Sequence, residues 1–188
     1  QHHIANDANL CLECHQGRSS KKSVDTAITA SGAADVDSPA AEGKRLSFSN
    51  VHYFAAGATL FGTEVQGAYE YDGKTYAGAH GHLAGGFTCT SCHDVHALEV
   101  KTDNCSGCHG EITELTAIRY LTNTTDADGD GDVTEGVASE IQALSDALFV
   151  ELEKYSETVA GDKITYNPHT HPYFFGSDGK SYAKWTPR

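Results

Sequence analysis

Apolar residues fall at helical spacing in two stretches of the second half of the chain. In residues 137 to 155, Val137, Ile141, Leu144, Leu148, Leu152 and Tyr155 recur three or four positions apart. This predicts one helix over the whole segment. Residues 111 to 121, EITELTAIRYL, carry apolar side chains at 112, 115, 118 and 121 and predict a shorter helix. Residues 65 to 76, VQGAYEYDGKTY, read as a hairpin, with Asp72-Gly73 as the turn and Tyr69, Tyr71 and Tyr76 as strand residues. Residues 16 to 45 are rich in Ser, Ala, Lys and Asp and read as a loosely structured connector. No run of about 18 apolar residues occurs, so no bilayer-spanning helix is expected.

Composition shows that the apolar positions are too few to organise this chain alone. It has 188 residues, 39 % hydrophobic, with 19 glycines and a mean hydropathy of -0.41. That is a lean core, and something besides side-chain packing is expected to support it. With 13 basic and 26 acidic residues, the formal net charge is -13. Such a surface repels phosphate backbones and anionic lipid, which argues against nucleic-acid and membrane-surface partners. Cationic proteins or metal cations suit it better. The chain begins Gln1-His2-His3, has no Met, and ends Trp185-Thr186-Pro187-Arg188. It is expected to be a processed chain or a piece of a longer one.

All six cysteines fall into one pattern: Cys11-x-x-Cys14-His15, Cys89-x-x-Cys92-His93 and Cys105-x-x-Cys108-His109. C-x-x-C-H is the attachment signature of c-type haem. Two thiols must reach the two vinyl groups of one porphyrin, and the next residue must present imidazole to the iron. One copy would be a weak signal, because C-x-x-C also serves thiol redox chemistry and zinc. Three disulfides are the structural alternative, but they leave a histidine after every pair unexplained. Three copies with no cysteine left over point to three haems c.

Each iron needs a second axial ligand, and methionine is absent. Eleven histidines less three proximal ones leave eight: His2, His3, His52, His80, His82, His96, His169 and His171. Low-potential bis-histidine haems are therefore expected. His96 sits three residues after His93, too close to reach round to the far side of the same iron, and reads as the sixth ligand of a neighbouring haem. Its alternative is a surface or propionate-binding histidine. His82, on the Gly-rich run GAHGHLAGG, and His52, in SNVHYFAAG, are the other candidates; His80 rivals His82. His2 or His3 could ligate a haem of a neighbouring molecule and so join subunits into a homopolymer, or could be a frayed terminus. His169 and His171, between Pro168 and Pro172, are either spare ligands or a segment packing on a haem edge. The third motif begins twelve residues after His93, so these two haems are expected to form a close pair.

The stretches CLECHQGR, HYFAAGATLFGTEVQGAYEYDGKTY, CTSCHDVHALEVKTDNCSGCHG and YNPHTHPYFF resemble the large multihaem cytochromes of metal-reducing bacteria. The resemblance runs over most of the chain. It implies a multihaem cytochrome c fold, coil-rich with few helices and a small β-hairpin, whose core is dominated by haem. It also implies export before haem attachment, a periplasmic or extracellular location, and electron transfer to redox partner proteins or extracellular acceptors. An extracellular filament subunit is one form this could take, and further haems on either side of the segment are common in such families.

Residues 126 to 135, DADGDGDVTE, set carboxylates at alternate positions with Gly131 sixth, like the loop of an EF-hand. Asp126, Asp128, Asp130, Asp132 and Glu135 are the candidate calcium ligands. The departure is at the twelfth position, where Val137 replaces the bidentate Glu. The alternative is an acidic turn in which Asp132 caps the next helix with Glu135 as its capping-box partner.

The organisation expected is a trihaem region over residues 1–110 and a helical region with the acidic loop over 111–188, packed as one domain. The function expected is electron transfer, as conduit or carrier, rather than bond chemistry. Two competitors stand beside it. One is a subunit of a multihaem reductase with one open iron, which abundant histidine argues against. The other is a segment of a longer multihaem wire.

Overall fold

The computed structural model describes residues 6–52, 55–79, 82, 88–103 and 105–188. Among them the helices are α1 Asn6–His15, α2 Lys21–Ser31, α3 Ala56–Phe61, α4 Cys89–Cys92, α5 Ser106–His109 and α6 Val137–Tyr155. Strands are two residues long: β1 His93–Asp94 pairs with β2 Glu99–Val100, and β3 Thr165–Tyr166 with β4 Phe174–Phe175. The chain is thus coil-rich, with few helices and small hairpin ladders. No described helix is long and apolar enough to cross a membrane. Two compact units form, Gln1–Glu99 with Ala183–Arg188, and Val100–Tyr182.

In the first unit, α1 packs against α3 and α4, with Ala8 buried. Gly57 permits the approach of α3: a Cβ there would lie 2.5 Å from Leu12 Cδ2 and 3.1 Å from the His15 carbonyl oxygen. The stretch expected as a loose connector contains α2. Its first turn is held by the Ser20 amide donating to Ser23 Oγ at 2.8 Å and by a Lys21–Asp25 pair at 2.7 Å. It stops at Gly32, which adopts φ 61°. That signal was local (a Ser before the first turn, a Gly after the last) and was masked by a weak apolar stripe.

The hairpin expected at 65–76 is not formed, and only its turn is present. The Lys74 amide donates to the Tyr71 carbonyl at 3.2 Å, and Gly73 has φ 78°. The tyrosines make side-chain bonds instead of a ladder. Tyr69 donates its hydroxyl to Asp25 of α2 at 2.9 Å, and the Tyr71 amide donates to Tyr76 Oη at 2.9 Å. The C-terminal residues close this unit, with the Arg188 amide on the Val36 carbonyl at 3.0 Å and Trp185 stacked near Phe48 at 6.3 Å.

In the second unit, α6 runs over the residues its periodicity predicts. It continues through a π-helical turn, Ser156–Ala160, and stops at Gly161, φ 75°. Its apolar stripe before Tyr155, however, is exposed, from 40 % at Leu152 to 61 % at Leu148. The helix expected at 111–121 shrinks to a 3-10 turn, Leu115–Ala117. Its remaining backbone groups bond outward instead: the Ile118 carbonyl accepts the Val137 amide at 3.2 Å, and the Leu121 amide donates to the Cys108 carbonyl at 3.3 Å. Gly136, buried at the start of α6, lies against that turn so closely that a Cβ would overlap the Thr116 carbonyl oxygen. Beyond α6, Ser156 Oγ accepts the Ile164 amide at 2.8 Å, and the β3–β4 ladder pairs Thr165 with Phe175 and Tyr166 with Phe174.

Among the described residues, the buried hydrophobic side chains are Ala8, Ile164 and Tyr182. The lean core expected from composition is what the structure displays.

Candidate functional site

Each C-x-x-C stretch occupies one helical turn, which sets its two cysteines three residues apart on one face. The first forms the C-terminal turn of α1. The second is α4, entered through Thr88, whose amide donates to Ser91 Oγ at 3.1 Å and whose carbonyl accepts the Ser91 amide at 3.0 Å. The third is α5 with Cys105 as its N-cap, and the His109 amide returns to the Cys105 carbonyl at 3.0 Å. Cys14, Cys92, Cys105 and Cys108 are free thiols, which rules out three disulfides in this structure.

The first unit holds two of the motifs and brings them together, since α1 and α4 are in contact. It also folds the far end of the long loop back onto the first motif. The Arg18 amide donates to the Val51 carbonyl at 2.9 Å, and Ser19 Oγ donates to the Asn50 carbonyl at 3.2 Å. His52 follows directly, half-buried and at φ 80°, its amide donating to Asn50 Oδ1 at 2.7 Å. After the second motif the chain leaves the helix at His93, which is extended. Asp94 then turns it, its Oδ1 accepting the amides of His96 and Ala97, both at 2.9 Å. This leaves His96 exposed on a tight turn. His82 is exposed as well. His2, His3 and His80 lie outside the described residues.

The third motif belongs to the second unit, which also carries His169 and His171, both exposed. His109 is the best-defined proximal candidate. Its Nδ1 lies 3.0 Å from the Arg119 carbonyl oxygen, and its ring meets Tyr120 edge-on with centroids 6.3 Å apart. A carbonyl oxygen only accepts, so Nδ1 carries the proton in this contact.

The acidic loop folds through Asx turns. Asp126 accepts the amides of Gly129 at 2.6 Å and Gly131 at 3.0 Å, and Asp130 Oδ1 accepts the Asp132 amide at 2.7 Å. Carboxylate oxygens of Asp126, Asp128 and Asp130 come within 4.8 Å of one another, and so do those of Asp128, Glu135 and Glu140. Asp132 is in neither group. Its Oδ1 accepts the Thr134 amide at 2.8 Å and the Thr134 hydroxyl at 2.6 Å, which holds its carboxyl below the usual range. Nor does it cap α6, whose N-cap is Gly136.

Glu140 is the residue that sequence reasoning missed. It lies one helical turn beyond Val137, the expected twelfth position, and its place in the first turn of α6 was the available signal. It is buried, pairs with Arg119, and accepts the amides of Ala127 and Asp128. Glu135 Oε1 is buried without a hydrogen-bond partner. Burial pushes the Glu135 carboxyl up, and the charges of Asp128, Asp130 and Asp132 push it further. This donor set is all hard oxygen and fits a divalent cation such as calcium.

No family model matches the chain, and no solved structure does. It is 27 % identical over 184 residues to "C-type polyheme cytochrome OmcB" of Geobacter sulfurreducens strain DL-1 / KN400. It is 27 % identical over 188 residues to "C-type polyheme cytochrome OmcC" of strain ATCC 51573 / DSM 12127 / PCA. Each alignment covers 89 % of this chain and 21 % of the relative, so the chain spans about a fifth of the length of these curated relatives.

Proposed function

We propose that this chain is an electron-transfer segment carrying three c-type haems, attached through Cys11, Cys14 and His15, through Cys89, Cys92 and His93, and through Cys105, Cys108 and His109. The observation that carries this reading is the motif itself, repeated three times, each time with its two cysteines on a single helical turn. His109 adds a ring whose Nδ1 is held by the Arg119 carbonyl, which makes Nε2 its iron-binding nitrogen in this reading. The similarity to polyheme cytochromes supports electron transfer in general. Haem supplies the redox couple, and the residues of the chain attach, orient and shield it. The exposed apolar side chains and the few buried ones among the described residues suit a chain whose apolar partner is porphyrin.

His52, His82 and His96 are the sixth ligands in this reading, which makes every iron bis-histidine and low-spin. A conduit or carrier needs no open coordination site, and the activity proposed is not enzymatic. The working location is outside the cytoplasm, with redox proteins or extracellular acceptors as partners. Asp126, Asp128, Asp130 and Glu135 form a structural calcium site in the second unit, and Glu140 braces that loop through the amides of Ala127 and Asp128.

Intact-mass measurement of the native protein, with electron paramagnetic resonance of the oxidised state, tests the reading. Three haem increments and only low-spin signals are expected. Fewer increments overturn the haem count. A high-spin signal with carbon monoxide binding to the reduced protein would point to a reductase subunit. Replacing His96 with Ala is expected to turn one haem high-spin; if every haem stays low-spin, His96 is not a required ligand.

A further inference from the structure

Arg119 stands between the acidic loop and the third haem motif and bonds to both. It is 8 % exposed. Its Nε donates to the Glu135 carbonyl, its Nη1 to the Thr125 carbonyl at 2.8 Å, and its Nη2 faces Glu140 Oε1. Glu140 is 3 % exposed, and its other oxygen holds the amides of Ala127 and Asp128. The guanidinium is therefore fixed from three sides. The backbone of the same residue points the other way, its carbonyl oxygen 3.0 Å from His109 Nδ1. Neighbours keep it there: the Ile118 carbonyl accepts the Val137 amide, and the Leu121 amide donates to the Cys108 carbonyl.

We propose that Arg119 is a positioning residue for the third haem site. Its buried guanidinium anchors the 118–121 segment so that its own carbonyl oxygen stays on His109 Nδ1–H. That contact fixes the tautomer, sets the ring plane and raises the basicity of Nε2 toward iron. The arrangement calls for arginine. A planar fork can serve a carboxylate and two carbonyls at once, whereas an ammonium is a point charge on a flexible stem. The inference rests on the haem reading of the third motif, and its test separates the two.

Haems are first counted by intact mass in the wild type and in Arg119→Lys, Arg119→Met and Glu140→Gln, all as holoproteins. Two readouts follow: the solvent exchange of the paramagnetically shifted His109 Nδ1–H in the oxidised protein, and the reduction midpoint of each haem. Arg119→Lys and Arg119→Met are both expected to speed that exchange tenfold or more. Both should also shift the midpoint of one haem while leaving the other two in place. Glu140→Gln should give a smaller change in the same direction. If Arg119→Met does not mature, the Lys and Gln variants carry the test. Three haems with unmoved exchange and midpoints in Arg119→Lys overturn the positioning role; the same holds if only Arg119→Met moves them, since charge alone would then be acting. A wild type lacking the third haem overturns the haem reading and, with it, this inference.

Discussion

Replacing Glu140 with Ala would strand a buried guanidinium. The side chains of Glu140 and Arg119 are 4 % and 8 % exposed, so little water is available to take the place of the carboxylate. Breaking a buried pair by removing one partner costs about 3–5 kcal/mol, mostly because the remaining charge is left uncompensated. The amides of Ala127 and Asp128 lose their acceptor too, but they sit in a loop that water reaches, so they add little. Against a domain stability of about 5–15 kcal/mol, the loss is a third or more of the total for a mid-range domain. With a urea slope of about 2 kcal/mol per molar, the midpoint should fall by about 2 M. The assay is urea unfolding of the holoprotein, followed by far-ultraviolet circular dichroism, to which α6 contributes as the longest described helix. Glu151→Ala is the control on the same helix. Glu151 meets Lys154 at 3.5 Å with both side chains more than two-thirds exposed, and its loss should cost no more than about 0.5 kcal/mol. The double variant Arg119→Met, Glu140→Leu should recover much of the stability, because no charge remains buried. A Glu140→Ala midpoint shift below about 0.5 M would refute the reasoning, since the pair would then behave as a surface bridge.

Gly57→Val should force α3 away from Leu12 and the His15 carbonyl, destabilise the protein by about 1–3 kcal/mol, and disturb the spectrum of one haem; an unchanged spectrum would separate α3 from the first site. Burial, and then the hydrogen bond to Asp25, raise the Tyr69 phenol, so its stabilising contribution is present below the ordinary tyrosine range and is lost as pH rises through the raised value. Asp25→Asn should bring the ultraviolet titration of Tyr69 partway back, and no movement would deny the bond. Calcium at about a hundred times its dissociation constant should stabilise the protein by about 2.7 kcal/mol, an effect that Asp128→Asn or Glu135→Gln should abolish; a melting temperature indifferent to calcium and chelator refutes the site. Without a cation, the raised Glu135 carboxyl favours the folded state at low pH and loses that contribution as pH rises through it, and calcium should remove this slope.

The three C-x-x-C-H turns, the span of α6 and the acidic loop were legible in the sequence because each is set by residues within one helical turn or one tight loop. The apolar stripe of α6 was legible too, but its exposure was not, because periodicity tells which residues share a face and not what covers that face. Local pattern failed where distant groups competed for the same backbone. The segment 111–121 has helical spacing, yet its carbonyls and amides bond to Val137, His109 and Cys108. Tyrosines 69, 71 and 76 have strand character, yet the Tyr69 hydroxyl bonds to Asp25 of α2 and the Tyr76 hydroxyl accepts the Tyr71 amide. Glu140 joined the acidic loop only because α6 begins at Gly136, packed on the Leu115–Ala117 turn, so that one helical turn carries a carboxylate back toward Asp128. Residue types and short spacings determined which chemistry this chain can do. The tertiary structure decided which histidine ring is held by which carbonyl, because a hydrogen bond between residues ten apart depends on where the intervening chain is anchored.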